Sequence, residues 1–380
     1  MNILYISHDK NMSGASRSLV EIISRLEEKH NIFVLVPTNK GPFFEELRKH
    51  NCRIISKPYF LWVTTKTTKL KWILKKIRWF SFGWVVNNIT AHSLVKIVRD
   101  NQIDLIHTNT GVTEIGARIS KLTKIKHVWH IREFADLDFH MFPLPQMRSY
   151  RKYLNECADV TVFNSYAVAR HYSFITSKKL VIYNGIDSRY IIDDSDKIPH
   201  DGINILISGR ISKDKGQWQA IEACKNLLKE NVSNFCLYIA GEGNLDYSLD
   251  ELGRHIVLLG SVEDMVGLRK RMDIELVCSV AEAFGRVTVE AMFAGLAVIG
   301  SKSGGTIELI DDGITGLLYE QKDINDLKDK IKMLISKDNV RNALRKNGKK
   351  YATGKFTIDI LVKNIFELYE SLLNDKSCLE

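Results

Sequence analysis

The sequence predicts an α/β protein that contains two doubly wound parallel sheets. Strand-like runs alternate with helical patterns along the whole chain, which is typical of parallel βα repeats. These runs form two series, and the polar stretch 188–202, which has no clear period, is the candidate linker between them. At 380 residues the chain is long enough for two full cores. We therefore expect a first domain at 1–190 and a second at 200–357.

Thirteen segments are predicted to be strands. The first series lies near residues 3–7, 32–36, 54–56, 105–108, 126–130, 160–163 and 180–183. The second series lies near 203–208, 236–240, 256–259, 274–278, 297–300 and 316–319. Ligands of open parallel sheets bind at the carboxyl ends of the strands, so the residues that follow these segments are the site candidates.

The composition indicates a globular protein that binds a polyanionic partner. Hydrophobic residues make up 45% and charged residues 26% of the chain, which are globular values. There is no apolar run of bilayer-spanning length, and the N-terminal MNILYISHDK predicts a strand rather than a signal peptide. The cysteines lack any C-x-x-C pair and predict reduced residues of a cytosolic protein: Cys52, Cys157, Cys224, Cys236, Cys278 and Cys378. The net charge of +9 favours a polyanionic partner.

The most informative stretch is 281–300, AEAFGRVTVEAMFAGLAVIG. It predicts a loop, a helix that is apolar on all sides and stops at Gly295, and then a strand. Glu282 precedes the helix N-terminus, where free amides attract anions, and Glu290 lies two turns inside. One interpretation is a site for an anionic, polyhydroxylated ligand. The other is an ordinary packing helix in which an Arg or Lys satisfies Glu290.

A second candidate site follows the first strand of the second series. Arg210 and Lys215 flank a loop that leads into a helix predicted to begin near Gly216. Two cations at a helix start suit a diphosphate, because Arg binds in a fork and Lys acts as a mobile point charge. The alternative is a pair of solvated surface cations.

Glycine-containing turns and histidines also follow predicted strands. Glycines allow backbone to approach a phosphate or sugar, and they occur at Ser13-Gly14, at Gly241 and Gly243, and at Gly304-Gly305. His107 and His130 lie at the carboxyl ends of predicted strands. Ligands of open parallel sheets bind at this end of the strands. Asp136 and Asp138 form a D-x-D string that does not directly follow a predicted strand, so we interpret it as a loop and expect no metal there.

The segment around residues 62–84 is basic and rich in tryptophan. Residues 47–99 contain twelve Lys or Arg, no acidic residue and four of the six tryptophans. Within 69–80 an apolar stripe lies on one helical face, and Trp72 and Trp79 lie on the opposite, basic face. Exposed Trp among basic residues favours an anionic membrane surface. A nucleic-acid groove with stacking Trp and a plain surface helix are the alternatives.

These motifs together resemble the retaining glycosyltransferases of family 4. The resemblance is carried by E282-AFGRVTV-E290, by the GR…KG spacing at 209–216, and by His130 and the glycine turns in the family's order. The turn 183-YNGID-187 is similar to the family's Pro-Asn-Gly-Val-Asp. The resemblance implies the GT-B fold, in which two Rossmann-like domains face each other across a cleft. It also implies that a C-terminal helix within 358–380 packs back on the first domain.

The resemblance implies a retaining transfer from a nucleotide-diphosphate sugar, with UDP expected, to a hydroxyl of a glycan or lipid-linked glycan in bacterial surface polysaccharide synthesis. Domain 1–190 would then bind the acceptor and domain 200–357 the donor. Arg210 and Lys215, with amides near Gly285 and Arg286, would stabilise the leaving diphosphate, and no metal or other cofactor is required. Glu282 and His130 would face the donor sugar. The remaining donor-binding positions are Ser13, Gly14, Gly241, Gly243, Ser261, Val262, Phe284, Glu290, Gly304 and Gly305.

The expected location is cytoplasmic, peripheral on the inner face of the membrane, with no nucleic-acid partner. Two other functions remain open from sequence. One is a nucleotide-sugar 2-epimerase or a phosphorylase of the same architecture, which acceptor-dependent UDP release would separate from a transferase. The other is a non-catalytic basic nucleic-acid-binding protein, although the complete set of Arg210, Lys215, Glu282 and Glu290 argues against it.

Overall fold

A computed structural model describes residues 1–245 and 247–374 of the chain. Its strands are β1 (Asn2–Ile6), β2 (Asn31–Val36), β3 (Cys52–Ser56), β4 (Val63–Thr65), β5 (Leu105–Thr108), β6 (Lys126–Ile131), β7 (Met141–Pro143), β8 (Val160–Phe163), β9 (Lys179–Val181), β10 (Ile203–Ser208), β11 (Phe235–Ala240), β12 (Ile256–Gly260), β13 (Ile274–Val277), β14 (Ala297–Ser301) and β15 (Leu317–Tyr319). All thirteen predicted strands are present, so the period-2 and buried-run patterns were sufficient to find them.

The helices follow in chain order. They are α1 (Gly14–Leu26), α2 (Pro42–Leu47), α3 (Lys69–Arg78), α4 (Trp84–Asp100), α5 (Ile115–Thr123), α6 (Asp136–Phe139), α7 (Met147–Glu156), α8 (Tyr166–His171), α9 (Gln217–Lys229), α10 (Met265–Arg269), α11 (Arg286–Phe293), α12 (Thr306–Leu309), α13 (Ile324–Ser336), α14 (Asp338–Lys355) and α15 (Ile358–Asn374). A π-helical turn, Trp79–Gly83, joins α3 to α4, and short 3₁₀ turns occur at Ser188–Tyr190, Asp194–Asp196 and Gly253–His255.

The chain divides into two compact units. The first comprises Met1–Gly185 together with α15, and the second comprises Ile186–Thr357. The division falls between Gly185 and Ile186, within the YNGID segment at 183–187. The polar stretch 188–202, predicted as the linker, belongs to the second unit, where the Ile192 amide bonds the Phe293 carbonyl and Lys349 Nζ bonds the Ile192 carbonyl at 2.7 Å.

The first unit contains a seven-stranded parallel sheet of order β3-β2-β1-β5-β6-β8-β9. Alternate residues of β1 point to opposite faces, so Ile3 and Tyr5 join one core cluster and Leu4 and Ile6 join another. The first cluster includes α1 and the apolar side of α15, as predicted for the C-terminal helix. β4 and β7, which the sequence did not predict, form a separate antiparallel pair.

The second unit contains a six-stranded parallel sheet of order β12-β11-β10-β13-β14-β15. Its core includes the inward sides of α9 and α13. Because all strands of a parallel sheet end at one edge, the loops after β10, β11, β13 and β14 lie along that edge.

Among the described residues, no helix combines the length and apolar character that a bilayer crossing requires. Five cysteines are free thiols and Cys378 lies outside the described residues. Cys157, Cys224 and Cys278 are buried, and burial raises the pKa of the Cys278 thiol to about 12. These thiols are therefore packing residues rather than nucleophiles.

Candidate functional site

The centre of the second unit's candidate site is the contact between the loop after β10 and the loop after β13. The Lys215 Nζ donates a short hydrogen bond to Glu282 Oε1, and the Ser279 hydroxyl donates to the same oxygen at 2.7 Å. The Val280 amide also donates to the Asp214 carbonyl at 2.8 Å, which ties the two loops through the backbone. The strands bring together a cation and a carboxylate that lie 67 residues apart in the chain.

Glycine makes this close approach possible. Gly216 adopts a positive φ of +73° immediately before α9, and a Cβ there would lie 2.3 Å from the Cys278 carbonyl oxygen. The sequence correctly predicted that the helix begins at this glycine. Lys215 therefore lies directly before the N-terminus of α9, where first-turn amides add positive potential.

Arg210 lies on the same loop as Lys215 but is exposed. Among the residues that the structure describes, its guanidinium forms no hydrogen bond or ion pair, whereas its carbonyl accepts from the Gln217 side chain at 3.2 Å. An exposed, uncommitted guanidinium at a strand end is available to a ligand.

Glu290, inside α11, is held by two guanidinium groups. Arg269 Nη1 donates to its Oε2 at 3.1 Å, and Arg286 Nη2 lies 3.5 Å from Oε1. Arg269 also binds Glu275, which is fully buried in β13 and accepts a hydrogen bond from Ser208. Burial alone lowers the pKa of Arg269, but Glu275 and Glu290 overcome this and raise it well above its usual value.

This network gives Glu290 the Arg partner that the alternative interpretation required, because a carboxylate away from solvent needs hydrogen-bond donors. The sequence analysis did not identify Arg269, Glu275 or Ser279. A lone Glu inside the apolar strand sequence IELV was the available signal, since a buried charge requires a partner.

The predicted glycine turns are used for contact between loops. A Cβ on Gly241 would lie 1.9 Å from the Gly209 carbonyl oxygen, and one on Gly243 would lie 2.5 Å from the Ile211 carbonyl oxygen. A Cβ on Gly304 would lie 2.3 Å from the Glu282 carbonyl oxygen, and the Gly305 amide donates to that oxygen at 2.6 Å. The paired glycines thus support the loop that carries Glu282.

The other predicted donor-binding positions lie on the same edge of the sheet or next to it. Gly285 caps α11 with a φ of +103°, and Phe284 before it is buried against Phe356. Ser261 and Val262 follow β12 and are exposed and half-buried, respectively.

In the first unit, Ser13 and Gly14 form the start of α1. Ser13 Oγ accepts the Ser16 amide at 3.4 Å as the N-cap, and exposed Gly14 is the first helical residue. Ser13 therefore acts as the N-cap of α1, a role that is common to many helices.

His130, the last but one residue of β6, is fully buried, and both of its ring nitrogens are without hydrogen-bond partners among the described residues. Its ring centroid lies 5.4 Å from that of His107, whose Nδ1 is 2.6 Å from the Tyr369 hydroxyl. Burial, then Arg132 and His107, lower the pKa of His130 well below its usual value. His130 is thus a neutral imidazole with unused donor and acceptor capacity.

The acidic pair after β6 is structural. Asp136 and Asp138 lie in the short helix α6 rather than in a loop; Asp136 Oδ1 is 2.8 Å from His171 Nε2 and Asp138 accepts the Phe134 amide. Across residues 1–245 and 247–374, no group of three or more His, Cys, Asp or Glu side chains has metal-binding geometry.

The prediction for the basic segment was wrong about which face is exposed. Trp79 and Trp62 are buried, Trp72 is half-buried, and the apolar stripe of α3 faces solvent. The Trp79 indole packs beside Gly83, where a Cβ would lie 3.1 Å from the ring, so the missing side chain leaves room for it. The exposed apolar residues, 41% to 69% accessible, are Leu70, Ile73, Leu74, Ile77, Phe80, Phe82, Trp84, Val85 and Ile89. We call this set the apolar surface.

Two family models match the chain in succession. Residues 12–190 match the Glycosyltransferase Family 4 model and residues 189–351 match the Glycosyl transferases group 1 model. The chain belongs to the family 4 glycosyltransferases. The predicted resemblance and the GT-B fold are therefore confirmed.

Several known proteins are similar to this glycosyltransferase. An uncharacterized glycosyltransferase of Methanocaldococcus jannaschii is 28% identical over 311 residues, which cover 79% of this chain and 83% of the relative. The GalNAc-α-(1→4)-GalNAc-α-(1→3)-diNAcBac-PP-undecaprenol α-1,4-N-acetyl-D-galactosaminyltransferase of Campylobacter jejuni is 24% identical, with coverage of 92% and 93%. The capsular polysaccharide biosynthesis glycosyltransferase CapM of Staphylococcus aureus is 26% identical over half of this chain and 52% of its own length.

The same fold is found in solved structures. Anabaena HepE in complex with UDP superimposes with a TM-score of 0.78 at 20% identity, covering 98% of this chain and all of that one. The lipopolysaccharide outer core galactosyltransferase WaaB superimposes with a TM-score of 0.70 at 16% identity, covering 98% of this glycosyltransferase and all of WaaB.

Proposed function

We propose that the enzyme transfers the sugar of a UDP-sugar to a hydroxyl of a lipid-linked glycan, with retention of the anomeric configuration. The observation that carries the proposal is the contact of Lys215 with Glu282 beside the start of α11. A mobile cation and a carboxylate at one strand edge match the two charges of the reaction. The leaving diphosphate gains negative charge and the sugar ring gains positive charge.

The leaving group determines the role of the cations. When the bond from the anomeric carbon to the diphosphate oxygen breaks, its electron pair goes to that oxygen. Lys215 and Arg210, with the first amides of α11, would stabilise this charge as it develops. Lys215 would then exchange Glu282 for the diphosphate, which would release Glu282 to orient the donor sugar. Glu290, which is held by Arg269 and Arg286, would accept hydrogen bonds from the ribose hydroxyls.

His130 would contact the donor sugar as a neutral imidazole. Neither ring nitrogen has a hydrogen-bond partner in residues 1–245 and 247–374, and burial disfavours the charged form. In the proposed reaction the departing phosphate takes the proton of the acceptor hydroxyl, so no protein side chain acts as the general base. The positive charge that the reaction requires comes from this chain's own Lys and Arg side chains.

UDP and a lipid-linked acceptor are proposed from the relatives. Anabaena HepE has solved complexes titled with UDP and with UDP-glucose. The Campylobacter transferase is named for a glycan on PP-undecaprenol. CapM and other relatives are named for capsular or other surface material. A role in surface polysaccharide synthesis follows from this set of names.

We also propose that the apolar surface docks on the anionic inner leaflet of the membrane. None of the residues of α3 is buried, and Lys69, Lys71 and Arg78 remain exposed beside its apolar stripe. Apolar side chains at the headgroup boundary with flanking cations suit an interfacial helix. Each cation near an anionic leaflet contributes about 1 kcal/mol. The absence of acidic residues between positions 47 and 99 removes repulsion from that leaflet.

Substitution of Lys215 tests the reaction. Lys215→Ala should lower turnover by roughly 100- to 1000-fold, because removal of one charge-stabilising donor costs about 3–4 kcal/mol in the transition state. Turnover is measured as UDP release from UDP-glucose, UDP-galactose and their N-acetylhexosamine analogues, with alkyl glycosides as acceptors. NMR of the product should show the donor's anomeric configuration.

Lys213→Ala is the matched control, because Lys213 is an exposed cation on the same loop. It should retain near-normal turnover. If Lys215→Ala also retains near-normal turnover, or if the product is inverted, the proposed reaction is incorrect.

A further inference from the structure

The first unit contains an aromatic pocket of about 450 Å³ that the donor chemistry does not use. Six aromatic side chains contribute to its walls: Trp62, Trp79, Phe80, Trp84, Tyr150 and Tyr153. Its volume lies within the usual range for small-molecule sites. The Trp62 ring stacks on the Trp129 ring, with their centroids 5.5 Å apart. This contact supports the Trp62 wall of the pocket.

Two residues that line this pocket each have a buried polar atom without a hydrogen-bond partner in the described part of the chain. Glu114, which is 1% exposed, uses Oε1 to accept from Asn87 at 2.9 Å and Arg118 at 3.0 Å, but its Oε2 has no partner among the described residues. The Nε1 of Trp79, which is 6% exposed, also lacks an acceptor within the described part of the chain. Both residues line the pocket. Each buried unpaired group costs about 1–3 kcal/mol, which a ligand could recover.

The combination of groups selects the class of ligand. A sugar ring has apolar C–H faces that pack on aromatic rings, and hydroxyls at its edges that both donate and accept. Such a ring could donate to Glu114 Oε2, accept from Trp79 Nε1 and pack on the aromatic walls. A hydrocarbon chain would cover the walls but leave both polar atoms unsatisfied. We propose that this pocket binds a sugar ring of the glycan acceptor.

The position of the pocket relates acceptor binding to membrane docking, and this link rests on the proposed function. Phe80 and Trp84 belong both to the apolar surface and to the pocket wall, and Trp79 lies between α3 and α4. The same short segment would therefore contact the membrane and hold the first sugars of a glycan that is attached to lipid.

The experiment measures binding of methyl glycosides of glucose, galactose, N-acetylglucosamine and N-acetylgalactosamine, with 1-octanol as the hydrocarbon probe. Dissociation constants come from ligand-observed NMR titrations of the full chain without any nucleotide. At least one glycoside should bind. Trp79→Phe keeps the ring but removes the donor, and Glu114→Gln keeps the shape but removes the charge, so each should weaken binding by about tenfold.

Trp72→Phe is the matched control, because Trp72 lies on α3 outside the pocket lining, and it should leave glycoside binding unchanged. Thermal unfolding shows whether each variant is folded. If Trp79→Phe does not fold, the near-isosteric Glu114→Gln still tests whether the pocket binds a sugar ring. The proposal is overturned if no glycoside binds, if both folded variants bind it as the wild type does, or if only octanol binds. Because no donor is present, these outcomes are independent of whether UDP-sugars are turned over.

Discussion

Individual side chains that are buried or half-buried determine the chemistry of both units. Lys215 and Glu282 form an ion pair, while Arg269 binds both Glu275 and Glu290 and Arg286 supplies a second cation beside Glu290. In the first unit several buried groups are instead neutral: burial lowers the pKa of His107 and His130 well below the usual value, and burial with Asp138 raises the pKa of Glu133 to about 8. The candidate site of the second unit is therefore built from ion pairs, whereas these three groups of the first unit offer neutral hydrogen-bonding atoms.

Buried histidines predict how the stability of the first unit depends on pH. Burial lowers the pKa of His127 to about 4, from an ordinary value of 6.5. Between these values the unfolded state binds more protons than the folded state, so the unfolding free energy falls as the pH falls from 6.5 to 4. His127→Gln should make the slope of the unfolding free energy against pH smaller by up to about 1.4 kcal/mol per pH unit, which corresponds to one bound proton.

The unfolding free energy is measured by urea denaturation at several pH values between 4 and 7, with tryptophan fluorescence as the signal. The slope is the change of this free energy with pH. Trp129, whose ring centroid is 5.5 Å from that of His127, reports on this region. His92→Gln, at an exposed position, is the control and should leave the slope unchanged. Equal slopes for His127→Gln and the wild type would contradict the prediction.

At the scale of elements, α3 is a helix that contributes little to the folded core. All of its residues are exposed or half-buried, and its apolar stripe faces outward. A soluble protein rarely exposes so many contiguous apolar side chains without a partner. By contrast, α15 buries its apolar side completely in the first unit. Both helices are amphipathic, but α3 carries five Lys or Arg and no acidic residue, whereas α15 packs its apolar side into the core of the first unit.

Leu74→Glu combined with Ile77→Glu should abolish sedimentation with phosphatidylglycerol vesicles while leaving thermal unfolding nearly unchanged. The membrane would lose two apolar anchors and meet two new negative charges, whereas exposed substitutions change stability by only about 0.5 kcal/mol. The wild type should sediment at low salt and be released at high salt.

Ile314→Glu is the control, since Ile314 is an exposed apolar residue of the second unit, and it should sediment like the wild type. The proposal that the apolar surface docks on an anionic membrane would be contradicted if the wild type bound phosphatidylcholine and phosphatidylglycerol vesicles equally well, or bound neither.

At the scale of the molecule, the last helix completes the first core. Ile358, Leu361, Ile365, Leu368, Tyr369 and Leu372 are all buried in the cluster that contains Ile3 and Tyr5. Burial of each such side chain contributes about 1.5–3 kcal/mol, so their sum is comparable to the whole stability of a domain. The second unit, in contrast, is a continuous stretch of chain with its own core.

Truncation after Thr357 should therefore unfold the first unit and leave the second folded. Hydrogen exchange should show loss of protection in β1, β2 and β5 but retained protection in β10 and β13. UDP should still raise the midpoint of thermal unfolding of the second unit, since a ligand that binds the folded state stabilises it. A truncated chain that keeps full protection in β1 would show that α15 is dispensable.

The sequence by itself determined the two sheets, their strands, the start of α9 at Gly216 and the end of α11 before Gly295, because these depend on periodicity and on glycine within a few residues. Only the tertiary structure decided that Lys215 pairs with Glu282, that Arg269 joins Glu275 to Glu290, and that Trp79 is buried while the stripe of α3 is exposed. These are contacts between distant parts of the chain, or choices between two faces of one helix, and local pattern carries no information about what packs against it.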